Sequence, residues 1–174
     1  MHTRRGLWVG LLLLAAPACG GGSGSGTPFV MTSPVADVCS LLTLADAQTL
    51  LPGATAGVQQ TTDDTADVWT RECDWDAGGV SGMSVTLVVD GALTSQGNTL
   101  LNILATTGAG SGTKMPVSGV GDKAIYFNDT GLDQGLTALH AGYDVDVTVY
   151  FLTPDVPESS LQPLVVKAMG ALAP

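Results

Sequence analysis

"LTALHAGYDVDVTVYF", residues 136–151, decides the fold class. From Tyr143 to Phe151 the chain alternates strictly. Tyr143, Val145, Val147, Val149 and Phe151 face one way, and Asp144, Asp146, Thr148 and Tyr150 face the other. That period belongs to a strand with one face in a core and one face in water. Ala141-Gly142 is a two-residue turn signal, so "LTALH" returns antiparallel to this strand as a hairpin. "KAIYFN", residues 123–128, adds another strand upstream.

The first half repeats the logic. "VWTRECDWD", residues 68–76, sets Trp69, Arg71, Cys73 and Trp75 against Thr70, Glu72, Asp74 and Asp76. "DAGG" at 76–79 then supplies turn residues, and "MSVTLVVD", with Met83, Val85, Leu87 and Val89 as its apolar set, completes a second hairpin. Three helices are expected around these strands. In "DVCSLLTLADAQTLLPG", Thr43 with Asp46 three residues on forms a capping-box pattern, and Pro52-Gly53 stops the helix. In "LTSQGNTLLNILATTG", Thr94 caps, Leu100, Leu101, Ile103 and Leu104 supply apolar surface, and Gly108 lies past the end. "PESSLQPLVVKAMGALA" closes the chain; a proline is tolerated in a first turn, so Pro163 sets the start near Ser160. Its core stripe is Leu161, Leu164, Val165, Ala168 and Met169. "GAGSGTKMP" reads as a flexible loop. Together these elements predict an α+β domain: an antiparallel sheet of about five to six strands flanked by helices.

The amino terminus reads as an address. Arg4 and Arg5 precede an apolar run from Leu7 to Ala16, which is an export signal too short to span a bilayer. Ala16-Pro17-Ala18 then leads into Cys19. The site fits simple secretory cleavage, which would leave a free thiol, and it also fits a lipobox, in which Cys19 is acylated. Lipidation is preferred because an odd cysteine in an exported chain calls for a special role, and two or more acyl chains anchor stably. "GGGSGSGTPFVMTSP" then acts as a tether with a reach of roughly 20–25 Å. The expected organisation is a signal peptide over 1–18, a lipidated cysteine and tether over 19–34, and one globular domain over 35–174. The expected location is the extracytoplasmic side of the cell envelope. Cys39 and Cys73, the remaining pair, are expected as a disulfide in that oxidising compartment.

Charge narrows the partners. Without Arg4 and Arg5, four basic residues face 16 acidic ones, a net charge near −12. That balance argues against nucleic acid, whose affinity comes mostly from neutralising phosphates. The acidic sets Asp63/Asp64/Asp67, Asp74/Asp76 and Asp144/Asp146 lack the oxygen count and loop of a calcium site and are expected on solvent faces. His140 is the one histidine after processing, and no G-x-S-x-G elbow accompanies it. No catalytic residue, metal or cofactor is therefore assigned.

Four features in order, "DVCSLLTLADAQTLLPG", "RECDWD", "MPVSGVGDKAIYF" and a Gly-turn strand pair with a closing helix, resemble an uncharacterised bacterial cell-envelope lipoprotein family. Its members carry an Asp-Pro-Cys-x-Leu-Leu-Thr opening, a Cys-x-Trp strand and a Gly-x-Gly-Asp-x-Ala segment. The resemblance spans roughly Asp37 to Leu172. It implies a domain of unknown function, with a fold similar to the PsbP-like antiparallel sheet, and supplies no catalytic residues. The functional expectation is a lipid-anchored binding or interaction module that meets the membrane through Cys19. A groove lined by Trp69, Trp75, Tyr126 or Tyr150 would take a small apolar ligand or an envelope protein, although core packing is the plainer use of those rings. An envelope hydrolase using acidic residues, with a pocket of acids around His140, and a purely structural envelope component are the alternatives. Labelled palmitate should enter the wild-type chain and not a Cys19→Ser variant; equal labelling of both would remove the anchor.

Overall fold

A computed structural model of the chain describes residues 31–60, 64–78, 82–107 and 112–172. Residues 1–30, with Cys19 and most of the stretch expected to act as a tether, lie outside the described residues, as do Asp63, Gly79 and residues 108–111. Helices α1 (Leu44–Leu50), α2 (Ser95–Thr107) and α3 (Glu158–Leu172) accompany seven strands: β1 (Val58–Gln60), β2 (Val68–Asp76), β3 (Ser84–Ala92), β4 (Thr113–Val117), β5 (Lys123–Asp129), β6 (Asp133–His140) and β7 (Tyr143–Tyr150). They form one antiparallel sheet in the order β1-β2-β3-β7-β6-β5-β4. The α+β class and antiparallel sheet match the sequence reading; the strand number does not. The two edge strands escape a periodicity search for physical reasons. β1 is three exposed residues, and β4 lies inside the expected loop, with Pro116 tolerated because an edge strand has one unpaired side.

One face of the sheet carries the core. Trp69, Cys73 and Trp75 on β2 meet Val85, Leu87 and Val89 on β3, then Val145, Val147 and Val149 on β7. The expected stripe of α3 packs there, every one of its five residues buried. α3 begins two residues earlier than Pro163 suggests. The proline is sixth in the helix, so one bond to the Ser159 carbonyl is lost, and both residues are exposed where water serves that carbonyl. α1 begins as read, with Thr43 and Asp46 closing a capping box, and it buries Ala47 while Leu44 stays exposed. The β6–β7 turn is the two-residue one expected, with Ala141 (φ 50°) and Gly142 (φ 86°) both left-handed.

The packed unit starts before Val35. Thr32 is buried; its N–H donates to the Ala92 carbonyl (3.0 Å), and its hydroxyl accepts the Trp69 indole N–H (3.0 Å). Trp69 lies across Gly91, where a Cβ would come within 2.2 Å of the indole, so only glycine fits. A buried indole N–H needs a partner, and Thr32 supplies it. The described chain therefore enters the packed unit beside the end of β3.

Cys39, in a single 3-10 turn over Val38–Ser40, is bonded to Cys73 in the middle of β2, as the cysteine arithmetic expects. The bridge closes a sequence separation of 34 residues and ties the entry of α1 to the core face. Reduction should lower the unfolding free energy by about 2–4 kcal/mol in urea titration; an unchanged midpoint with reductant present would contradict a structural bridge.

Candidate functional site

The period-two pattern that fills the core also sends eight of the 16 acids to the opposite face. Cross-strand register arranges them in rows. Thr70, Asp90, Asp144 and Leu139 form one row, and Glu72, Val88, Asp146 and Thr137 form the next. Asp74, Thr86, Thr148 and Gly135 follow, and then Asp76, Ser84, Tyr150 and Asp133.

This face is not wet at its centre. Asp144 is 4% exposed and Asp146 7%, which corrects the solvent-face reading of that D-x-D. The cause is α2. Leaving β3, the chain crosses the acidic face on its way to β4 at the far edge, and α2 packs Leu101 and Ala105 against Ala92 and Leu139. Thr94 starts the helix as expected, accepting from the Gly97 N–H (3.1 Å) and donating to Asp67. Gly97 allows the close approach: a Cβ there would sit 2.0 Å from the Asp67 carbonyl oxygen. Lys123 reaches the Asn102 side chain (3.0 Å), and Lys114 reaches the Thr107 carbonyl at the negative end of the helix. The helix itself contributes no ionisable side chain.

Threonine hydroxyls satisfy most of the covered acids. Thr70 donates to Asp90, Thr86 to Asp74 (2.7 Å), and Thr137 (2.7 Å) and Thr148 both to Asp146. Asp144 is the exception. Its Oδ1 is buried and has no hydrogen-bond partner, and the residue lines a cavity of about 150 Å³. Asp90, Asp133 and Asp146 share that cavity with Tyr150, Phe127 and Leu104, and no cationic side chain lines it.

Burial sets the electrostatics. It lifts Asp144 well above the carboxylate range, and Asp146 and Asp90 add repulsion. Burial also lifts Asp146, to about 6, against the pull of the Thr148 and Thr137 hydroxyls. Asp90 and Asp133 rise for the same reason, opposed at Asp90 by Thr70 and reinforced at Asp133 by Asp129. Glu72, toward the β2 edge, is raised by burial and by Asp74. Tyr150 is pushed up to about 12 by burial and then by Asp146 and Asp133. The phenol thus stays neutral, while the carboxyls give the cavity a charge that depends on pH.

The four aromatics expected to line one groove are divided by the sheet. Trp69, Trp75 and Tyr126 are buried on the core face, and Tyr126 donates its hydroxyl to the Val156 carbonyl (2.8 Å). Tyr150 stands on the opposite face, at the acidic cavity. The plainer use of those rings holds for the first three. His140 ends β6 on the core side of the register, paired with Tyr143, so the acids do not gather round it. Among the described residues no three histidine, cysteine or acidic side chains converge to hold a metal ion. Cys39 and Cys73 are spent on the bridge. What residue reading missed, Asp90, Asp144 and Asp146 as a buried set, carried one legible signal: from β2 to β6 the first three rows set acids beside threonine, valine or leucine, with no lysine among them.

No protein-family model, curated protein or solved structure matches this chain.

The raised carboxyls keep protons in the folded chain that the unfolded chain has already released, so stability should fall as pH rises from about 4 through 6 and beyond. For Asp146 the rise from 3.8 to about 6 opposes folding in the charged form by on the order of 3 kcal/mol. Two carboxyls shift the other way. Asp64 is held low by Arg71, and at Asp46 burial is outweighed by bonds from Lys167 and Thr43; both lose their contribution only below about pH 4. Between pH 4.5 and 8 the cavity should therefore dominate. Thermal unfolding should show a higher Tm at pH 4.5, and Asp144→Asn should raise Tm at pH 8 more than at pH 4.5. A variant less stable than wild type at pH 8 would mean that the Asp144 charge is already compensated.

Proposed function

We propose that this protein is a lipid-anchored extracytoplasmic binding module whose ligand brings a positive charge into the acid-lined cavity beneath α2. The observation that carries the reading is the unpartnered Asp144 Oδ1, almost fully buried beside Asp90 and Asp146. A buried carboxylate without a partner is costly, and a charged donor offsets that cost more effectively than a neutral one. Phe127 and Tyr150 line the same space, and aromatic rings attract cations.

The export segment, Cys19 and the glycine-rich tether support the envelope location and the acyl anchor. Among the described residues no helix is long and apolar enough to cross a membrane. The motif order from Asp37 to Leu172 supports membership of the envelope lipoprotein family with the PsbP-like fold. A hydrolase built on acids around His140 draws no support from the register, which sets that histidine on the other face.

The probe is n-butylammonium, with n-butanol as the neutral control. The full chain carrying Cys19→Ser is suitable because Ala16-Pro17-Ala18 remains a simple cleavage site. At pH 7.5 butylammonium should bind saturably by calorimetry and raise Tm, butanol should do neither, and Asp144→Asn should weaken binding about tenfold or more, in line with a lost charged hydrogen bond. Absence of binding by wild type, or equal binding by the variant, would reject the site and leave the structural-component reading.

A further inference from the structure

The acid cavity adjoins a second hollow at its α2 end. Asp90 and Leu104 line both, and the second and larger, of about 540 Å³, lies between α2 and the start of β2. The walls of the larger hollow are mostly apolar: Leu100, Leu101, Ile103 and Leu104 on the helix, and Val68 on the strand. Leu100 is 44% exposed and Ile103 51%, so α2 presents apolar surface outward as well as toward the sheet. Of the four apolar residues that the sequence places on this helix, only Leu101 is buried. An apolar groove therefore lies beside the cavity that holds a buried, unpartnered carboxylate, with Asp90 and Leu104 common to both.

Resting on the binding reading above, we infer that the ligand class is a small cationic amphiphile, an alkylammonium whose head enters beside Asp144 and whose chain lies along α2 over Leu100, Ile103 and Leu104. Charge complementarity selects this occupant. A second copy of a chain with net charge −10 would bring acid to acid. A neutral lipid would fill the groove and leave Asp144 Oδ1 as it is. A divalent ion would need several oxygens converging on it, and among the described residues no such set of ligands exists. An ammonium needs no such convergence: one of its three donors is enough for the free Asp144 oxygen. Because α2 lies over the cavity through a small apolar cluster (Leu101 and Ala105 against Ala92 and Leu139), the roof and the chain-binding wall are the same helix.

The test is a series of butyl-, hexyl- and octylammonium, with octanol as the uncharged partner, on the Cys19→Ser full chain by calorimetry at concentrations below micelle formation. Affinity should rise about three- to fourfold per methylene, roughly a hundredfold from butyl to octyl. Octanol should bind far more weakly than octylammonium. The double variant Leu100→Ser/Ile103→Ser, at two exposed positions, should flatten the dependence on chain length, and Asp144→Asn should erase the preference for octylammonium over octanol. Binding of butylammonium with no gain up to octylammonium would overturn the amphiphile inference and leave the cation site standing. Equal binding of octanol and octylammonium would overturn it by removing the role of charge. Failure of every ammonium to bind would remove both this inference and the reading beneath it.

Discussion

The register of β3 against β7 is the constraint on which the rest of the molecule depends. It sets Val85, Leu87 and Val89 opposite Val149, Val147 and Val145, and in the same stroke sets Asp90 opposite Asp144. Side chains alternate with a period of two, so a slip of one residue would carry the valines to the far face and drive Asp144 and Asp146 into the apolar core. Burial of the valines thus fixes where the acids go. Their crowding on one face is a by-product that the protein then has to manage, with threonine hydroxyls for Asp74, Asp90 and Asp146 and with nothing at Asp144 Oδ1.

α2 converts that acidic face into a site. Uncovered, the acids would be hydrated, mutually screened and ordinary. Covered, they lose water, their carboxyls hold protons more tightly, and each remaining charge seeks a partner. The covering is thin. The helix touches the sheet through Leu101 and Ala105 while Leu100 and Ile103 face outward, and Lys114 and Lys123 fasten only its far half. The opposite face has the reverse character: α3, α1, the disulfide and the Trp69–Thr32 contact make it a closed core. One face is a closed core, and the other holds the acid-lined cavity.

Much of the core face was legible in the residues alone. Strict alternation over 68–76 and 143–150 is what a strand with one buried face produces, and the Thr43–Asp46 cap, the Thr94 cap and the α3 stripe each follow from local chemistry. The cysteine pair needed only counting. β1 and β4 were not legible because edge strands need no apolar period, and the start of α3 was misplaced because an exposed proline deep in a helix costs little where water reaches the lost carbonyl. The site was the least legible part. Alternation says that Asp144 and Asp146 leave the core, and by itself that reads as solvent. Their burial comes from a long-range fact, the path of α2 across the sheet to an edge strand that carries no sequence signal. The aromatics misled for the complementary reason. Trp69, Trp75 and Tyr126 share one face by parity and Tyr150 has the other, which becomes evident only once all the registers are known.

The carboxyl carbon of Asp144, followed by nuclear magnetic resonance across a pH titration with and without butylammonium, tests the central claim most directly. The account predicts a midpoint well above the ordinary aspartate range in the free protein and a lower one when the cation is present, because a buried carboxylate gains its missing partner. A midpoint near 4 that does not move when the cation is added would contradict it.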